Sequence, residues 1–522
     1  MYSEINSKNH YWGVKSTYWG FFFTAIFIAF YLWDIGNILA PRQGTESLYV
    51  QISKEMYETS SWLTPVYRGE AHWSKPPLQY WLPMPLYALF GGFSLTLARL
   101  SMALLSFSTV GGVFWLLRRQ KIELNFIKFG AIFLSSFGML KFSRIFMMEI
   151  PLSLFPLIGA LCFYDYLQSR SKITWLLSVV CIGLGGLVKG PVSLAMGFAS
   201  MFLYVAYLYF VDRKNILKEF FIVSFAAFII SSLWYVLCYQ KYGMEFVNYF
   251  FLRENLGKFG QQKSMSAIKI IQGLFLYTFP WFHLISFRQI RKKLENPLYI
   301  FLGFHFIVFF FIWFIPSQKS HHYAMPGFVF WMMFLLNNSK SFVRNRMSRF
   351  LFWGQVSLLL FVSITFLYFS NSLLEVAFAL LPILSILFCI NLKVSSLGIG
   401  ISFVALFTVL VSRFYLPLIP NRGVEMLLKN QNVQVFYNDR RPFFLEERLG
   451  RKVELYDQAK LHSGDYILTP KNKKSIIDIN RVEKIYSWGK WKRKAQRNDV
   501  INAFFTRDLS ALKSSYILYK VK

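Results

Sequence analysis

Long apolar runs, repeated about thirteen times, dominate what this chain can fold into. They begin near residues 18, 95, 124, 150, 173, 191, 217, 267, 297, 323, 350, 372 and 396. Each is roughly 17–25 residues long, the length a helix needs to cross the hydrocarbon core of a bilayer. Inside that core a backbone must satisfy its own hydrogen bonds, so runs like these imply a helical bundle. Composition agrees, with 55% of the 522 residues hydrophobic and 16% charged. The expectation is an all-α polytopic membrane protein of about thirteen transmembrane helices.

Charge then orients the bundle. Lysine and arginine outnumber the acids 57 to 26, a net +31. In a soluble chain that excess would suggest nucleic acid. Here no run of basic and aromatic residues lies in a soluble context, so nucleic acid is not expected as a partner. Loop charge that sets topology and meets membrane lipids explains the excess. Arg118-Arg119, Arg170 with Lys172, Arg213-Lys214, Arg291-Lys292-Lys293 and Arg344 to Arg349 mark every second boundary. Placing all five in the cytoplasm gives an N-in, C-out chain in the inner membrane. Residues 1–16 are polar, and the first apolar run is long enough to remain as a span. Cys162, Cys181, Cys238 and Cys389 fall inside apolar runs, as small packing residues rather than disulfide partners.

The opposite face carries four loops: 36–94, a short one at Arg144–Glu149, 243–266 and 316–327. In the first, "ESLYVQISKEMYETSS" repeats apolar residues at helical spacing and predicts a helix lying on the interface. "PPLQYWLPMPLYALFGG" reads as a second interfacial or re-entrant piece. From about residue 420 the pattern changes. "VQVFY", "KVELY", "DYILTP" and "SYILYKVK" alternate as strands do. The expected division is a transmembrane domain, 1–419, and a small outer α/β domain, 420–522. The basic cluster "GKWKRKAQR", 489–497, is a solvated face or a contact with acidic head groups.

Charges beside a membrane face cost energy and are functional suspects. "GEAHWSKPPLQYW", 69–81, sets Lys75 among Trp73, Trp81 and the Pro76-Pro77 stop, which a solvated lysine would not need. The same face holds Arg42 and Glu46, Arg144 and Glu149, Lys189, Arg253 and Glu254, and Lys319, His321, His322 and Tyr323. Cations from separate loops suit a phosphate or diphosphate leaving group. A carboxylate suits a general base that takes a proton from an acceptor hydroxyl or amine. The plainer alternative makes Glu46–Lys75 and Arg144–Glu149 ion pairs that fix loops.

At these residues the chain resembles membrane glycosyltransferases of the GT-C fold, in particular aminoarabinose transferases and protein O-mannosyltransferases. Glu46, Tyr49, Met56, Trp62, Pro65, Lys75, Pro76 and Pro77 match the family's first outer loop. "MMEIPLSLF" resembles its second acidic motif, with Glu149 at the acid. "LVKGPV", "FFLRENLGKF" and "SQKSHHYAMP" resemble later family motifs, in the family order. Two departures stand out. The family's first aspartate falls on Thr45, so the acid is the neighbouring Glu46. Ser74 stands where aminoarabinose transferases have a glutamate that can hold a metal.

The resemblance implies a polyprenyl-phosphate-linked sugar donor and a lipid A-like lipid or cell-envelope glycan as acceptor. It implies Lys75, Arg253, Lys189 and Lys319 on the donor phosphate, and Glu46 or Glu149 as the base of an inverting transfer. Arg42, Tyr49, Arg144, Glu254, His321, His322 and Tyr323 would line the substrate. No cofactor is certain; a divalent metal held with His321 or His322 stays open, and a monomer is expected. Transfer to a protein Ser/Thr is the second enzymatic reading. A transporter would instead predict inverted repeats and charges deep inside spans, and the sequence has no such repeat. A structural scaffold would leave the collected outer-face motifs unexplained.

Overall fold

The computed structural model describes residues 21–36, 44–255, 266–317, 319–336, 346–369, 376, 380, 395–414, 422–430, 434–437, 445–446, 449–451, 453–471, 477–491 and 496–522. Helices come first: α1 (Phe21–Leu32), then α2 (Gly44–Glu58), α3 (Leu78–Trp81), α4 (Met84–Leu89), α5 (Leu95–Arg119), α6 (Phe126–Ser135) and α7 (Phe137–Phe142). They continue as α8 (Glu149–Ser169), α9 (Lys172–Lys189), α10 (Pro191–Phe210) and α11 (Leu217–Val247). A π-helix (Asn248–Asn255) is followed by α12 (Ile268–Thr278), α13 (Phe287–Lys293), α14 (Pro297–Phe311), α15 (Met325–Leu336), α16 (Arg346–Tyr368) and α17 (Ser395–Phe414).

Twelve of the apolar runs open a helix within four residues of the expected start. The run near 372 lies almost wholly outside the described residues. Among the described residues six helices are long and apolar enough to cross a membrane: α5, α8, α9, α10, α11 with its π-turn, and α14 with the turn after it. The count of thirteen spans stays an expectation. The run from 124 is not one helix. Ser136 takes ψ 138 between α6 and α7, and the amide of Phe137 donates to the carbonyl of Phe279 at 2.8 Å. The piece "ESLYVQISKEMYETSS" is helical, as α2, and α3 and α4 form the second piece.

The chain divides into two units, 1–35 with 52–406, and 36–51 with 407–522. In the first, α8 is the central helix, buried along most of its length. α8 and α9 form an antiparallel hairpin around Arg170, with the Ser178 hydroxyl donating to the Gly159 carbonyl at 3.0 Å. At the hairpin end of the bundle Arg119 Nε and Gln120 Nε2 donate to Asp165 Oδ1 at 2.9 and 2.7 Å, and Arg170 pairs with Glu219 at 2.7 Å. Three basic boundaries therefore meet at one side of the unit, as the alternation of clusters required.

The second unit holds α18 (Arg422–Lys429), α19 (Arg497–Thr506) and a five-stranded sheet. A two-stranded ribbon, β1 (Val66–Tyr67) and β2 (Glu70–Ala71), precedes it in the chain. The sheet strands are β3 (Val435–Tyr437), β4 (Glu454–Leu455), β5 (Tyr466–Pro470), β6 (Val482–Trp491) and β7 (Lys513–Val521), in the order β4-β3-β5-β7-β6. β3 runs parallel to β4 and β5, and β7 is antiparallel to β5 and β6. Apolar clusters cover both faces, one around Leu428, Tyr437 and Leu518, the other around Phe436, Ile467 and Ile517. The four expected strands are all present. β6 was not expected, because its charged residues hide the alternation. The first three residues of "GKWKRKAQR" end that strand.

Candidate functional site

The hairpin geometry brings Glu149 and Lys189 to the same end of the bundle. Glu149 is the first residue of α8 and Lys189 the last of α9. A helix start favours a carboxylate and a helix end a cation. Gly190, at φ +85 and ψ −158, occupies a backbone region that side-chain-bearing residues avoid, and a Cβ there would lie 3.1 Å from the Phe250 ring. Pro191 then opens α10. Lys-Gly-Pro is thus a cap, a turn and a helix start in three residues, and it fixes where the lysine stands.

Glu149 is 3% exposed. Its Oε1 lies 3.8 Å from His322 Nε2, and its buried Oε2 has no hydrogen-bond partner. Lys189 and Lys141 present positive charge to it. The Lys189 ammonium sits 4.0 Å from the centre of the Trp313 ring and 4.7 Å from that of Tyr323. Those two rings stack at 5.1 Å and form a cation–π platform. His322 meets Tyr323 edge-on at 4.6 Å. Burial, with Lys189, Lys141 and His321 adding to it, pushes the His322 imidazole down to about 3. At neutral pH it is uncharged, so its approach to Glu149 is a dipolar contact rather than an ion pair. The turn His321–Ala324 packs on α12 at Gly273, where any Cβ would collide with the His321 carbonyl.

A second group forms around Lys75. Its ammonium donates to the Ser74 carbonyl at 2.6 Å. Lys75, Arg253 and Glu254 all act on His72, whose imidazole burial pushes below its ordinary value. Arg253 stands over the Tyr249 ring at 5.0 Å. Trp73 is buried, edge-on to Tyr242, Phe246 and Tyr249. Phe250, which touches Gly190, stacks on Phe246 at 5.6 Å. An aromatic wall thus joins the Lys75 group to the turn that carries Lys189. The π-helix that supplies Tyr249, Phe250 and Arg253 follows a kink at Gly243, and π-turns recur at functional sites.

The remaining candidates fall elsewhere. Arg144 is fully buried and donates to the carbonyls of Phe30, Tyr31 and Trp33, where α1 ends. Arg99, which the motif reading missed, donates to the Ile35 carbonyl at 3.0 Å. Lys319 is buried, Tyr49 is buried and Glu46 is fully buried. Glu46 and Tyr49 belong to the second unit. His321 is exposed. Arg42 lies outside the described residues. Among the described residues no three His, Cys, Asp or Glu side chains gather as metal ligands.

The motif reading also missed Lys141, Trp313, His72 and Tyr249. Lys141 sits inside an apolar run, where a lone charge is itself a signal. The aromatics carry no local signal that separates them from belt residues.

Residues 18–250 match a family described as dolichyl-phosphate-mannose-protein mannosyltransferase. An undecaprenyl phosphate-alpha-4-amino-4-deoxy-L-arabinose arabinosyl transferase of Yersinia enterocolitica is 26% identical over 294 residues, 53% of this chain and 51% of that one. An uncharacterised protein of Aquifex aeolicus is 28% identical over 291 residues, 54% of this chain and 56% of its own. Such matches span about half the length of these curated relatives. The crystal structure of ArnT from Cupriavidus metallidurans bound to undecaprenyl phosphate superposes with a TM-score of 0.68, covering 96% of this chain and 98% of that one at 16% identity. The fold is that of ArnT. The motif resemblance to GT-C membrane glycosyltransferases of the aminoarabinose and O-mannosyl type is met by both the family match and the fold.

Proposed function

We propose that this chain is an ArnT-like membrane glycosyltransferase that moves a sugar from a polyprenyl-phosphate donor to a lipid A-like lipid or cell-envelope glycan. The observation that carries the reading is Glu149, a buried carboxylate at a helix start. One of its oxygens carries no hydrogen bond, and two lysines face it. Those lysines offset part of the cost of burying its charge. The ArnT fold and the names of the relatives supply the donor class.

The chemistry divides between the two groups. Lys75 and Arg253, with Lys189 and Lys319 as further candidates, grip the donor phosphate and stabilise the charge that grows as the sugar leaves it. Glu149 takes the proton from the acceptor hydroxyl or amine as that atom forms its bond to the sugar carbon. The phosphate departs from the opposite side, so the configuration inverts. Glu46 is the second candidate base. Arg42, Tyr49, Arg144, Glu254, His321, His322 and Tyr323 remain the proposed substrate-side residues; Arg144, tied to the end of α1, acts there through position. The N-terminus is cytoplasmic and residues 420–522 form an extracytoplasmic α/β domain.

The family match also favours a second reading, transfer to a protein Ser/Thr from the same donor type. One experiment separates them: purified protein is incubated with labelled polyprenyl-phosphate sugars and a cell-envelope extract. Label in lipid or glycan supports the first reading, label in protein the second. No transfer from any donor in the panel, by protein that is folded and membrane-inserted, would reject both.

A further inference from the structure

The helix α19 turns its apolar face outward. Val500, Ile501, Phe504 and Phe505 share one arc of it, with Asn498 at its edge and Asn502 and Thr506 outside it. A helix packed on its own sheet should bury the apolar arc. Of its ten residues Ala503 is the buried one. Phe505 is 78%, Val500 49%, Phe504 44% and Ile501 42% exposed. The two phenylalanine rings meet edge to face at 6.0 Å, so the arc presents one continuous apolar ridge. Ridges of this kind mark contact surfaces.

Charge selects the partner. Arg497 heads the apolar arc and Arg507 follows its end, both exposed. The nine residues 489–497 that lead into the helix carry five lysines and arginines and no acid. Aromatic and branched apolar side chains flanked by cations suit the boundary between acyl chains and anionic head groups. A second copy of the chain fits less well, because a two-fold contact through this arc would set Arg497 and Arg507 of the two copies against each other. A bilayer is always within reach of a chain built from membrane-length helices.

We propose that α19 is an interfacial foot by which the second unit rests on an anionic lipid surface. This stands apart from the glycosyltransferase reading. The test uses the full chain, its native cysteines replaced by alanine, in nanodiscs of phosphatidylcholine with or without phosphatidylglycerol. Phe505→Cys and Asn502→Cys are each labelled with bimane. The label at 505 should be quenched by doxyl lipids, more with phosphatidylglycerol than without it and less at high salt. The label at 502 should be quenched by iodide. Should Phe505→Cys fail to insert, Val500→Cys gives the same reading. Iodide quenching at 505 in both lipids would overturn the proposal. So would shielding that appears only with two copies per disc, or shielding from both quenchers, which means a protein contact.

Discussion

Glu149 and His322 both work deprotonated, the one charged and the other neutral. Glu149 must be ionised to act as a base, and Glu149→Gln should lower turnover about 10²- to 10⁴-fold, the usual worth of a general base. His321→Asn, at an exposed position, should cost far less turnover than that. Equal losses in the two variants would remove Glu149 from the chemistry. His322 titrates near 6.5 in an unfolded chain and is pushed to about 3 in the fold. A histidine held neutral contributes stability above its unfolded value, and that stability is lost as pH falls from about 6.5 towards 3. His322→Asn should therefore flatten the fall of Tm between pH 6 and pH 4. An unchanged acid slope would mean that the imidazole is not held neutral. Lys75→Ala should abolish transfer while the protein stays folded and membrane-inserted; normal turnover would end its phosphate role.

Among the elements, the Lys-Gly-Pro turn and the end of α1 make separable contributions. Gly190→Ala forces a side chain into a region that costs about 1–3 kcal/mol and against the Phe250 ring. Lys189 would shift from its aromatic platform, so transfer should fall more steeply than Tm. Arg144→Met should do the reverse. It strands the carbonyls of Phe30, Tyr31 and Trp33, at roughly 1–3 kcal/mol for each one left unsatisfied. Its Tm should drop, and transfer by the protein that stays folded should drop less; a large loss of transfer at unchanged Tm would instead give the guanidinium to the substrate. The same pair of elements marks how far a sequence can be read. Lys189, Gly190 and Pro191 are neighbours, and their motif states its own geometry. Arg144 finds partners more than a hundred residues away, and no local pattern names a backbone carbonyl as a partner. Lys141 is visible as a lone charge, but its partner is not, for a related reason: the break at Ser136 turns its short helix, and the apolar run reads as continuous across it.

For the molecule as a whole, helix positions were legible because lipid imposes one length and one polarity on each span. The sheet was legible strand by strand except at β6, where the alternation carries lysines and a glutamate on a solvent-facing edge. Which compartment each end faces rests on the basic loops, and it can be measured. Asp212 lies in an exposed turn after α10, beside Arg213-Lys214, and Ser463 in an exposed turn before β5. With native cysteines replaced, a membrane-impermeant thiol reagent added to cells with a permeable outer envelope should label Ser463→Cys at once. Asp212→Cys should react only after the inner membrane is opened. The distribution of charge predicts this order, since five clusters of lysine and arginine at alternate boundaries would otherwise all have been carried outward. Immediate labelling of Asp212→Cys would reverse the bundle. It would also move Glu149 and Lys189, at the opposite ends of α8 and α9 from the Arg119–Asp165 contacts, to the cytoplasmic side, where an outward-facing donor could not reach them.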